Sequence, residues 1–382
     1  MIYLDSHATT PVDPRVLERM LPFFTEHFGN ASSKNHPFGW KAAKAVEHAR
    51  EQVADLIGGR FRDVVFTSGA TESNNLAIKG LAARAPNNRR HIVTLATEHR
   101  AVLDPCRAVE RQGIRVTCLG VAPDGLVDLD AVRAAVTDET LLVSVMAGNN
   151  EIGVLQPLAE ISRIAKAHGT LFHCDGVQAA GVMRLDVWEL GIDLLSLSAH
   201  KMYGPKGVGA LYIARTNPAI AIEPLLDGGG HERGYRSGTL NVPGIVGFGE
   251  AAEICRESRA VESGRLQTLR DRLWEGLRNL DGVHLNGSMA QRLPQNLNIR
   301  IDGVAGEALL TTLANEVAIS SGAACATAGA EPSHVLRALG LTDDQARASL
   351  RFGFHRFNTD QEVDAVVSMV ADSVKRLRKR AS

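Results

Sequence analysis

Between residues 64 and 215, short apolar runs recur at intervals filled by amphipathic helical stretches. That alternation is the period of βα units, and a chain that keeps it over such a span is committed to a mostly parallel sheet covered by helices. Strands are predicted over 64–67, 91–95, 115–119, 141–146, 171–174, 194–197 and 209–213. Between them fall helices such as 157–168, opened by Pro157 and stopped by Gly169. Open sheets of this kind take ligands beyond the carboxyl ends of their strands. The chemistry is therefore sought in the residues that follow each apolar run.

With 382 residues the chain exceeds what one core usually serves, so two domains are expected. A helical pattern over 245–280, carried late on by Leu266, Leu269, Leu273 and Leu277, leads to a second region of α+β character. There, strand signals (296–301, 349–354) interleave with helices (306–315, 332–339, 360–377). The first dozen residues precede a helix over 14–28 and can pack with either part. We expect a large domain over 13–255 and a smaller one built from 1–12 and 256–382.

Lys plus Arg number 42 against 43 Asp plus Glu, a formal charge of −1, which argues against a dedicated nucleic-acid binder. Continuous apolar stretches fall short of a bilayer span, and Met1-Ile2-Tyr3-Leu4-Asp5 lacks a basic region followed by an apolar one, so a soluble cytoplasmic protein with no membrane partner is expected. The five cysteines show neither metal-like spacing nor an even disulfide framework, as suits a reducing compartment, and no metal site is expected.

Lys201 ends the apolar run that begins at Leu194. A lysine just past a buried strand is unfavourable to desolvate, and the penalty falls if its amine forms a Schiff base with an aldehyde such as pyridoxal phosphate. A strand-end lysine that reaches solvent is the alternative. Asp175 ends the preceding strand, with Gln178 three positions later. A carboxylate there needs a cationic partner, for which a pyridinium nitrogen serves; capping the next helix would also explain it. The 26 residues between Asp175 and Lys201 are one βαβ crossover, so adjacent strand ends would grip opposite sides of one ring.

Ser68-Gly69-Ala70-Thr71-Glu72-Ser73-Asn74-Asn75 leads from strand to helix and suits a phosphate, or is an ordinary N-cap. His99, after the 91–95 strand, can stack on a ring and shuttle protons, or simply start a helix. Asn149-Asn150-Glu151 offers amides to a carboxylate, or makes a turn. The glycine-rich stretch 228–239, with Arg233, Arg236 and Thr239, can contact phosphate or carboxylate, or form a flexible surface loop. Gly204-Pro205-Lys206-Gly207 reads as a turn. Arg351 interrupts a strand and can hold a carboxylate bidentately or serve a structural ion pair. Cys106, Cys118, Cys174 and Cys255 fall in helical or strand patterns, where cysteine acts as a small buried hydrophobe. Cys325 instead sits among Gly, Ala, Ser and Thr, where an accessible thiol on a mobile loop is expected.

These residues have a common pattern. Tyr3-Leu4-Asp5 with Ala8-Thr9-Thr10-Pro11, Phe28-Gly29-Asn30, 67–73, Thr97-Glu98-His99, 149–153, Asp175 with Gln178, Ser198 with His200-Lys201, 228–239, 321–325, 331–340 and Arg351-Phe352 resemble, in order, the motifs of the cysteine desulfurases of the NifS/IscS type. The resemblance runs along nearly the whole chain. It implies an α/β, fold-type I pyridoxal phosphate enzyme whose large domain holds a mostly parallel seven-stranded sheet, with a smaller α+β domain carrying the mobile cysteine loop. It implies that Lys201 carries the Schiff base to pyridoxal 5'-phosphate, that Asp175 faces the pyridinium nitrogen, Gln178 the phenolic oxygen and His99 the ring face. Thr71, Ser198 and His200 would bind the phosphate, with Ala70 and Asn150 also beside the cofactor. Thr239 would reach the phosphate of a partner subunit, which implies a homodimer. Asn150 and Arg351 would hold the carboxylate of L-cysteine.

By the same resemblance the freed Lys201 amine takes the Cα proton, Cys325 accepts the sulfur as a persulfide, and L-alanine leaves. The sulfur then passes to an acceptor protein, a scaffold of iron–sulfur cluster assembly or a relay. Gly176, the pair Ala147-Gly148 and Ala324 depart from the residues common in the family, and the chain stops at Ser382, short of the tail with which housekeeping relatives dock a scaffold. Selenocysteine lyase, cysteine sulfinate desulfinase and a non-catalytic sulfur-relay protein are the other readings of this pattern.

Overall fold

The seven apolar runs build one sheet, in the order Val64–Thr67, Gly209–Ile213, Leu194–Ser198, Leu171–Asp175, Thr140–Met146, His91–Leu95, Arg115–Leu119. Only Gly209–Ile213 runs against its neighbours, so the sheet is mostly parallel as expected. Each predicted strand is present to within a residue or two. The reason lies in burial: the inner strands are covered on both faces and read as continuous apolar runs. Of the two edge strands, Val64–Thr67 is buried and Arg115–Leu119 is partly exposed, and on the latter the expectation of buried cysteines fails for Cys118, which is exposed while Cys106, Cys174 and Cys255 are buried.

The computed structural model describes residues 1–216, 218–321 and 331–381, with the backbone alone of 380 and 381. Cys325 and Ala324 lie outside the described residues. A 36-residue helix, Val242–Leu277, leads to a second, antiparallel sheet of Ser320–Ser321, Ser349–Gly353, Asn296–Ile301 and Val283–Leu285. Helices Gly306–Leu313 and Asp360–Ala381 accompany it.

The segment before Asp13 joins the two sheets. Ile2–Tyr3 pairs in parallel with Val317–Ala318, and the Gly353 N–H donates to the Leu4 carbonyl at 2.7 Å. A few residues later the Thr10 N–H donates to the His200 carbonyl and that of Asp13 to the Tyr203 carbonyl. Residues 5–10 therefore cross from one sheet to the carboxyl edge of the other. The helix expected over 14–28 is two pieces, Pro14–Met20 and Pro22–Thr25, because Pro22 lacks the N–H that would continue the first and starts a new turn instead.

Candidate active site

The carboxyl ends of the parallel strands surround a cleft of about 650 Å³. Ala70, Thr71, His99, Asn150, Asp175, Gln178, Ser198, His200 and Lys201 all line it, together with His7, Asn74 and Lys206. Thr239 is exposed on the glycine-rich loop and Arg351 sits behind Asn150, neither of them among the lining residues.

Lys201 follows the 194–198 strand in a single 3₁₀ turn. Its Nζ donates to the carbonyls of His7 and Ala8, the latter at 2.7 Å. Burial, with the nearby Arg351 guanidinium, pulls its ammonium down to about 8, while Asp5 and Asp175 oppose that shift. On the adjacent strand Asp175 is almost fully buried. One of its oxygens accepts from Asn74 Nδ2 at 2.7 Å and the other from the Val177 N–H at 3.1 Å. Both donors are neutral, and among the described residues no cation forms an ion pair with this carboxylate at the cleft wall.

At the other end of the cleft the helix Ala70–Ala83 begins at Gly69 with no side chain capping its first amides. Those N–H groups and the positive end of the helix form an anion cradle. Gly69 has φ near +151°, a backbone angle that favours glycine, and a Cβ on Gly209 would overlap it, so Gly209 lets the strand approach the turn. Glu72 stands in the same first turn but is neutralised by Arg236 at 3.0 Å. Both arginines of the glycine-rich loop are in fact engaged with protein groups, Arg236 here and Arg233 on the Val64 carbonyl. His200, which accepts or donates to Thr9 Oγ1 at 3.2 Å, is pulled down to about 4 by burial and by the two lysines beside it, and is neutral at physiological pH. Lys206, in the segment read as a plain turn, adds a cation at this wall.

His99 caps the helix Arg100–Glu110, its Nδ1 accepting the Ala101 N–H at 3.0 Å. In the neutral ring the proton is therefore on Nε2. Next to it, Glu98 is completely buried, accepts the Met146 N–H at 2.8 Å through one oxygen, and has a second oxygen with no hydrogen-bond partner among the described residues. Burial pushes this carboxyl far above its ordinary range, and Asp175 adds to the push. Arg351 is half of an ion pair with Asp5 at 2.7 Å. It also donates to Ser320 Oγ and the Asn150 carbonyl at 3.0 Å each, and among the described residues its Nε and the Asn150 Oδ1 have no hydrogen-bond partner.

Sequence reasoning passed over His7, Asn74 and Glu98, and kept Lys206 only as the lysine next in line after Lys201. Asn74 and Glu98 stood inside quoted motifs but had no strand-end position of their own to mark them. The His7 signal is weaker still, since its partners come from strand ends far along the chain.

A phosphorylated, aldehyde-bearing pyridine fits this set: an uncapped helix end for the phosphate, a depressed lysine for the aldehyde, and an unneutralised buried carboxylate for a protonated ring nitrogen. Comparison with known proteins gives the same answer. The profile of the family described as Aminotransferase class-V matches residues 2–366. Cysteine desulfurase IscS of Anaeromyxobacter sp. (strain Fw109-5) is 56% identical over 379 residues, 99% of this chain and 93% of the relative. A solved NifS-like protein superposes with a TM-score of 0.92 at 37% identity, covering 98% of this chain and 99% of the other. SspA, solved in complex with cysteine, superposes with a TM-score of 0.82 at 35% identity over 94% of this chain and all of the other. The chain belongs to the class-V aminotransferase family and, within it, to the pyridoxal phosphate-dependent cysteine desulfurases.

Proposed function

We propose that this chain takes sulfur from L-cysteine with a definite division of labour among the residues of the cleft. The first amides of the Ala70–Ala83 helix, Thr71, Ser198 and the neutral His200 hold the phosphate. Asp175 keeps the ring nitrogen protonated, Gln178 donates to the phenolic oxygen, and His99 covers the ring face. Bound pyridoxal phosphate supplies the electron sink for the carbanion at the substrate Cα. Arg351 binds the substrate carboxylate by exchanging Asp5 for it, with the Asn150 amide beside it. Lys201 Nζ, which loses its proton at about 8, holds the cofactor and takes the Cα proton. His99 Nε2 moves a proton at the departing sulfur, and Cys325 Sγ accepts that sulfur as a persulfide while L-alanine leaves.

In this reading the protein is a cytoplasmic homodimer in which Thr239 completes the neighbouring site. The large part over 13–255 carries the cofactor, and 1–12 with 256–382 carry Arg351 and Cys325. A sulfur-acceptor protein, of iron–sulfur cluster assembly or another sulfur pathway, takes the persulfide sulfur. The observation that carries the proposal is the pairing of a desolvated Lys201 with a buried, unneutralised Asp175 on adjacent strand ends of one cleft.

Intact-protein and peptide mass spectrometry after incubation with L-cysteine tests it. We expect one added sulfur atom on Cys325 in the wild type and none in Lys201→Ala. A Cys325→Ser protein that releases sulfide at the wild-type rate without added thiol overturns the assignment of Cys325.

A further inference from the structure

His7 is buried at the back of the cleft, 2% exposed, between the two sheets. Burial, aided by Arg351 and Lys201, pulls its ring down to about 3, overriding the hydrogen bond to Gln178. The imidazole is neutral and carries one proton. Its Nε2 lies 3.0 Å from the Asn296 amide nitrogen, and the orientation of that amide follows from its other contacts. Asn296 Oδ1 accepts from Arg292 at 3.0 Å, while Nδ2 also donates to the Glu151 carbonyl at 3.1 Å. An amide nitrogen only donates, so His7 Nε2 is an acceptor and the ring proton is on Nδ1. That proton goes to Gln178 Oε1 at 2.8 Å. Gln178 Nε2 then gives one hydrogen to the His7 carbonyl at 3.2 Å, and its other hydrogen has no partner among the described residues where Gln178 lines the cleft.

The series starts from a buried cation. Arg292 is 5% exposed, has no carboxylate partner among the described residues, and also donates to the Ser288 carbonyl at 2.8 Å and to the Asn286 carbonyl. Gly153 makes room for the relay, because a Cβ there would overlap the Asn296 amide. Every donor and acceptor in the series points the same way, as mutually polarising hydrogen bonds require.

We propose that His7 is a positioning residue: the relay Arg292–Asn296–His7 fixes the Gln178 amide with its nitrogen, and not its oxygen, turned to the cofactor's phenolic oxygen. This rests on the assignment of Gln178 to that oxygen. A donor there stabilises the phenolate and loosens its hold on the proton of the cofactor–lysine linkage. Loss of the donor therefore raises the apparent pKa of that linkage, which is read from visible absorbance against pH.

The test uses the cofactor-loaded protein. His7→Leu and Gln178→Ala are each expected to raise the linkage pKa by about half a unit to one unit and to weaken cofactor binding roughly tenfold. The double variant should shift no further than Gln178→Ala alone, as residues acting in series do. Asn296→Asp keeps the volume and gains an ion pair with Arg292, but offers His7 an acceptor. It reverses the tautomer and should reproduce the His7→Leu shift. A wild-type pKa in His7→Leu or Asn296→Asp, with Gln178→Ala shifted, overturns the relay. Additive shifts in the double variant do the same. A wild-type pKa in Gln178→Ala removes the assignment of Gln178 itself and the relay with it.

Discussion

The Lys201 ammonium loses its proton at about 8 in the folded chain, against an ordinary value of 10.5. Between those limits the unfolded chain binds the extra proton, so stability rises with pH across the window, and below it the buried ammonium is unfavourable in full. Cofactor-free wild type should therefore gain denaturation free energy relative to Lys201→Met as pH goes from 8 to 10. Urea titrations at each pH measure it, and a difference that stays constant would show that the amine is not desolvated. Arg351 supplies a second residue-scale prediction. Its guanidinium is already matched to a carboxylate, that of Asp5, so the substrate competes for a formed ion pair. Replacing the planar fork with a point charge, Arg351→Lys, should raise KM for L-cysteine roughly tenfold with a smaller change in kcat. Steady-state alanine formation separates the two, and a fall in kcat alone would place Arg351 in a different role.

Elements are tied to the cleft by buried charge. Arg50, in the helix Pro37–Leu56, meets Glu232 through two hydrogen bonds of 2.7 Å, and both side chains are almost fully buried. Glu232 also accepts the Phe66 N–H at 2.7 Å, so the glycine-rich loop is pinned to the 64–67 strand. Breaking one partner of such a pair strands the other, and Glu232→Ala should cost about 3–5 kcal/mol of unfolding free energy. Arg50→Met combined with Glu232→Leu should recover part of that loss in the same denaturation assay, since it leaves no orphaned charge. This pair also explains why part of the fold was hidden in the sequence. A loop with many glycines reads as flexible until its partner, 182 positions away, is known. The strands were legible because burial on both faces writes itself into continuous apolar runs. Lys201, Asp175 and His99 were legible because they follow those runs. Two-residue strands such as Ile2–Tyr3 carry no period and exist only through pairing with Val317–Ala318. His7 was not legible because its role lies in contacts with Gln178 and Asn296, 171 and 289 positions away.

For the whole molecule the surface around the first helices decides the matter. Leu17, Leu21, Phe24, Phe28, Phe38 and Trp40 are all exposed, Phe28 to 64% and Trp40 to 57%, and the Phe28 and Phe38 rings lie 5.3 Å apart. Large apolar side chains left in water are unfavourable, and the proposed homodimer would cover them. Thr239 lies exposed, outside its own chain's cleft, which agrees with its proposed role in a second copy's site. With a chain mass of 41.0 kDa, sedimentation equilibrium should return twice that value. Phe28→Asp combined with Trp40→Asp should return the single mass with secondary structure kept. If Thr239 serves the second copy as proposed, the monomer should bind cofactor more weakly. Thr239→Ala should weaken it in the same direction without changing the mass. Separating the two variants matters, since a monomer that binds cofactor and forms alanine as the wild type does would show that each chain completes its own site.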